Sequence, residues 1–175
     1  MKKGVIIYES KYGATEQYAD WLSDAIQSAA VRTEKLSLVR LAQYDLLILG
    51  TPVYLGKLRI GKWLKQNLGA FAKKQVFLFI VCGTSNAEPN EQSRIIHDNL
   101  PPDFIAGSKI FFLPGRCLPE RISIKDRLLL ALGSLVQKDP QIKSAMRLGF
   151  NKMDKNSLEP LIGLANEYLK EPANS

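Results

Sequence analysis

The sequence is poor in the residues that staple or metallate small proteins. Two cysteines, Cys82 and Cys117, are too few for a disulfide scaffold or a cysteine-rich zinc module. A single histidine, His97, excludes histidine-rich metal sites, and no metal is expected. It would have to serve any Ser/His/Asp triad alone, and its setting in a helical stretch marks it as a surface residue. No apolar run reaches the roughly 18 residues needed to span a membrane. The opening MKKGVIIYES turns polar at Glu9, too early for a signal-peptide core. No G-x-G-x-x-G follows the first apolar run, which argues against a dinucleotide site. Residues 56–63 (GKLRIGKW) nearly match a P-loop, but Trp63 stands where the magnesium-binding hydroxyl must be. A nucleoside triphosphatase is therefore set aside.

The 175 residues and 46% hydrophobic content suit one packed domain, 1–175, rather than a disordered chain. The net charge is +7, and it is unevenly placed. Residues 109–155 hold ten basic and four acidic side chains, which accounts for six of the seven net charges. Such a stretch is either a solvated basic face or a surface for something anionic. No nucleic-acid partner is expected.

Short apolar runs alternate with amphipathic stretches. GVIIY (4–8), LLIL (46–49), VFLFIV (76–81) and IFFL (110–113) read as buried parallel strands, and 32–38 as an edge strand. Stretches 15–29, 60–71, 90–100, 123–136 and 158–169 read as helices, with Thr15 capping the first and Pro101-Pro102 stopping the third. This alternation predicts an α/β doubly wound sheet of five parallel strands, order 2-1-3-4-5, with helices on both faces.

Ligands of such a sheet bind beyond the carboxyl ends of its strands. The loop Ser10-Lys11-Tyr12-Gly13-Ala14-Thr15 brings hydroxyls, a glycine and a helix start together, which makes a phosphate cradle of amides and hydroxyls. Lys11 adds an optional charge. The loop Thr51-Pro52-Val53-Tyr54-Leu55-Gly56-Lys57 offers a stiff turn and flat apolar surface for an aromatic ring system. In Cys82-Gly83-Thr84-Ser85-Asn86, Gly83 permits close approach and three polar residues can bond a ring edge. Gly115-Arg116 follows the last strand at the same edge, with Cys117 beside it as an inert thiol. An ordinary capped loop, a core tyrosine and a generic turn remain the alternatives for the first three.

YESKYGAT resembles the phosphate loop of flavodoxins, with Ser10, Gly13 and Thr15 matching and Tyr12 departing from the usual hydroxyl residue. YDLLILGTPVYLGK (44–57) is similar to the third strand and ring loop of that family, and FIVCGTSN (79–86) to its third flavin loop. GRCLPERISIKDRLLLALGSLVQKDP (115–140), within an insertion of about 115–150, resembles a subgroup that includes the menaquinone-dependent protoporphyrinogen oxidases. The resemblance implies non-covalent FMN, chemistry carried by the flavin, and no obligate catalytic side chain. It also implies an FMN-dependent oxidoreductase with a quinone or other redox partner. The other readings are a soluble electron carrier between proteins and a flavin-free binding module.

In 121–138, five consecutive apolar residues, Leu128 to Leu132, are bracketed by Arg121, Lys125, Arg127 and Lys138. That pattern suits an interfacial helix on an anionic membrane, or a helix packed on the domain or in a homodimer. The expected location is cytoplasmic, at the inner face of the cell membrane if the helix docks there.

Overall fold

The computed structural model describes residues 1–36, 38–83 and 89–172. The chain runs β1 (Gly4–Tyr8), α1 (Ala14–Ile26), β2 (Ala30–Arg32), α2 (Leu38–Leu41), β3 (Leu46–Tyr54), β4 (Lys57–Leu58), α3 (Gly61–Asn67), β5 (Gln75–Cys82) and α4 (Pro89–Asn99). It continues through α5 (Pro102–Gly107), β6 (Ser108–Pro114), β7 (Arg116–Cys117), α6 (Ile124–Val136), α7 (Pro140–Leu148), β8 (Phe150–Asn151) and α8 (Glu159–Lys170).

Five strands form the parallel sheet β2-β1-β3-β5-β6, which is the expected 2-1-3-4-5 order counted over the parallel strands. Each apolar run is continuous because both faces of the sheet are covered. Along β1, Ile6 and Tyr8 join one core with Tyr18 and Leu22 of α1 and Leu161 and Ala165 of α8. Val5 and Ile7 point the other way, into a core with Leu64 of α3, Ile95 of α4 and Phe104 of α5. At the sheet centre a Cβ on Gly50 would lie 2.2 Å from the Phe79 ring, so the ring fills the space that a side chain would take.

Several expectations are corrected in detail. The edge strand is Ala30–Arg32, earlier than 32–38, and a 3-10 turn over Thr33–Lys35 follows it. The third helix does stop before Pro101-Pro102, α4 ending at Asn99, but Pro102 begins a further helix, α5, where its missing amide costs nothing. Thr15 is not the cap of α1. Gly13 is, at φ +83, and Thr15 lies buried within the first turn. The third strand runs on to Tyr54 and folds back as β4, so the expected ring loop is a hairpin. Leu55 and Gly56 turn it, both at positive φ.

The insertion after β6 holds two helices. Ser123 caps α6 by accepting from the Asp126 amide, and Asp139 caps α7 by accepting from the Gln141 and Ile142 amides. The chain then returns through β8, which pairs antiparallel with β7 as Arg116↔Asn151 and Cys117↔Phe150. Tyr18 fixes this return by donating to the Pro114 carbonyl at 2.7 Å and accepting from the Asp154 amide at 3.1 Å.

Candidate functional site

A cavity of about 380 Å³ opens at the carboxyl edge of the sheet. Its lining joins Lys11, Tyr12, Ala14 and Thr15 of the first loop to Pro52, Val53, Tyr54 and Leu55 of the hairpin. Cys82, Gly83, Gly115 and Arg116 complete the polypeptide edge. The insertion supplies the remaining wall through Ile122, Asp126, Leu129, Leu130, Gly133, Met146 and Phe150.

The first loop has the form of an anion cradle. The Gly13 amide donates to Ser10 Oγ at 3.1 Å, which curls the backbone toward the start of α1. Gly13 takes a left-handed conformation that a side chain would strain. A Cβ there would also meet the Arg116 guanidinium at 3.4 Å, so Arg116 lies over the loop. Among the described residues, two buried side-chain polar atoms lack a hydrogen-bond partner, Thr15 Oγ1 and Arg116 Nε. Buried polar groups are ordinarily satisfied, so two unsatisfied ones beside one glycine turn suit a polar anionic group.

The other donors of this loop are committed elsewhere. Lys11 forms an ion pair with Asp126 at 2.5 Å, and the Tyr12 hydroxyl donates to the same carboxylate oxygen. Tyr54 donates to the second oxygen at 2.7 Å. The Lys11 ammonium also lies 3.5 Å from the centroid of the Tyr54 ring. Burial alone raises the Asp126 carboxyl, but the hydrogen bonds from Lys11, Tyr12 and Tyr54 outweigh it and hold it down to about 2. Lys11 is disfavoured by its own burial yet ends above its ordinary value, because Asp126 and Tyr54 bond it.

Other expected positions fall differently. Thr51 is fully buried, and its hydroxyl accepts from the Ile60 amide, so it braces the hairpin. Gly56 and Lys57 are exposed at the hairpin tip. At Gly83 the space expected for a ring edge is filled by Phe150, 2.5 Å from where a Cβ would stand. Thr84, Ser85 and Asn86 lie outside the described residues. Cys117 lines the cavity half-buried, and burial pushes its thiol up. His97 is exposed on α4.

Asp126 was not anticipated as a site residue. It sits in the first turn of α6, three residues after the Ser123 cap. Nothing local shows that the same side chain reaches loops 72 and 115 residues away.

The chain matches the flavodoxin domain over residues 5–143. It belongs to the flavodoxin-domain family. Comparison with curated protein sequences finds no match. Among solved structures it is similar to a flavodoxin from the domain Archaea, with 12% identity, TM-score 0.48 and coverage of 97% of this chain and 99% of that one. It is also similar to oxidised flavodoxin 1 from Bacillus cereus, with 15% identity, TM-score 0.46 and coverage of 98% and 99%. The rubredoxin:oxygen oxidoreductase of Desulfovibrio gigas matches at 11% identity and TM-score 0.51, over 98% of this chain and 38% of that one. The cofactor of a flavodoxin domain is FMN, and the unsatisfied Thr15 and Arg116 atoms beside Gly13 fit its phosphate.

Proposed function

We propose that this flavodoxin-domain protein is an FMN-dependent oxidoreductase that acts on a flat, lipid-soluble redox partner, as a quinone-linked protoporphyrinogen oxidase does. Ser10, Gly13, Thr15 and Arg116 would hold the phosphate, with the amides of the first turn of α1. Pro52, Val53 and Tyr54 would face the ring. Bound FMN supplies the capacity to take up and release electrons, while the protein binds, orients and tunes it.

The observation that carries the reading is the insertion wall. Ile122, Leu129, Leu130, Met146 and Phe150 form an apolar side of the cavity opposite the cofactor loops. The outer side of the same helix is apolar too: Ile124 is 84% exposed, Leu128 61%, Leu132 55% and Leu135 70%. The buried positions of α6 are Asp126 and Ser134, Leu129 and Leu130 turn to the cavity, and Leu128, Leu132 and Leu135 face outward. Exposed apolar side chains beside Arg121, Lys125, Arg127 and Lys138 are what docking on an anionic bilayer requires. No described helix is long and apolar enough to cross a membrane.

The test is an assay of the purified yellow protein with protoporphyrinogen and with menaquinone analogues. Turnover with either supports the reading. Electron exchange with protein partners only would make the chain a carrier of the ordinary flavodoxin kind, and absence of flavin would make it a binding module.

A further inference from the structure

We propose that Asp126 is a positioning residue through which the insertion helix sets Tyr54 and Lys11 at the FMN site. The inference rests on the cofactor reading above.

Four groups form a closed circuit. Asp126 Oδ1 accepts from Tyr54, and Oδ2 accepts from Lys11 and Tyr12. Lys11 in turn lies over the face of the Tyr54 ring. Only 8% of the Asp126 side chain is exposed. A carboxylate so enclosed requires compensation, and one ammonium and two phenols provide it. The carboxylate is itself held in place. Its own amide donates to Ser123 Oγ at 3.2 Å, and the next residue, Arg127, donates to the Pro119 carbonyl at 2.6 Å. Both contacts fix the first turn of α6.

Two consequences follow for the cavity. Tyr54 cannot rotate freely while its hydroxyl is bonded to α6, so the surface it offers a ring is set by the insertion. Lys11 brings a positive charge to the cavity wall, and Asp126 cancels it. Positive charge near the flavin ring favours the reduced, anionic form. Asp126 thus keeps this wall electrically balanced.

The experiment uses the full-length protein stripped of FMN and then titrated with FMN. It reads the fluorescence of bound flavin and the preference for reduced over oxidised FMN, taken from anaerobic potential measurements. In Asp126→Asn the preference for reduced FMN rises about tenfold, the order expected of one unbalanced charge at an effective dielectric of about 20. Bound-flavin fluorescence rises as the Tyr54 ring loosens. In Asp126→Asn with Lys11→Met the pair is gone, and the preference returns to that of the parent. Should Asp126→Asn fail to fold, Lys11→Met alone decides, with a shift of similar size toward the oxidised form. A variant that melts earlier and binds FMN more weakly, with unchanged preference and fluorescence, would reduce Asp126 to a structural brace and overturn the proposal. A parent protein that takes up no FMN would instead overturn the cofactor reading, before any variant is made.

Discussion

Thr15 and Asp126 are neighbours across one cavity with opposite hydrogen-bond states. Thr15 Oγ1 is buried without a partner, whereas the Asp126 carboxylate accepts from three side chains. The first suits a phosphate oxygen. A hydrogen bond to a charged group contributes roughly 1.5–3 kcal/mol. Thr15→Ala should therefore weaken FMN binding by about ten-fold to a hundred-fold, read by titrating the stripped protein. Affinity equal to the parent would remove Thr15 from the phosphate site. Asp126 carries a different signature, because its carboxyl is held down to about 2 in the folded protein. That lies below the unfolded value of about 3.9. The ionised form therefore stabilises the fold fully above about pH 4, and this contribution is lost as pH falls toward about 2. Melting temperature should drop over that window and drop less in Asp126→Asn, and parallel profiles would contradict it. Thr15 was legible from its motif, but its role as a cap was misread. The left-handed Gly13 caps the helix two residues sooner and leaves the threonine hydroxyl without a partner.

The insertion shows what local pattern conveys at the level of elements. Its first helix was readable from the Ser123 start and the leucine run. The second, α7, was not expected, although Asp139, Pro140 and Gly149 are a cap, a first-turn proline and a left-handed stop. Its signal lay in those ends rather than in apolar spacing. The β7–β8 pair could not be read at all. It is two residues long on each side, and its register is set by the return of a distant segment. Periodicity left open which side of α6 is buried, and the enclosed residues are an acid and a serine. The exposed leucines give the element a testable property. The protein should sediment with anionic liposomes at low salt and be released as salt rises. Changing Arg121, Lys125 and Arg127 to glutamate, or Leu128 and Leu132 to aspartate, should abolish sedimentation while FMN stays bound. A parent protein that ignores anionic liposomes at low salt would rule out this docking surface.

For the whole molecule, strand order and layering were legible because four continuous apolar runs alternating with amphipathic stretches leave few arrangements. Both faces of the sheet are packed as that reading requires, and the centre is tight. Gly50→Ala would drive a methyl into the Phe79 ring at 2.2 Å. It should cost roughly 1–3 kcal/mol in denaturant unfolding, and an unchanged midpoint would show that the ring can move aside. The loops that line the cavity were legible, because each motif is contiguous, and the wall that α6 adds was not. In the function proposed above, FMN binds with its phosphate in the Gly13 turn beneath Arg116. Titration of the stripped protein with FMN, parent beside Gly13→Val, tests it most directly. The parent should bind one flavin per chain. The variant should fold yet lose binding, because valine is strained at φ +83 and its side chain enters the cradle. Equal FMN affinity in the two proteins would contradict it.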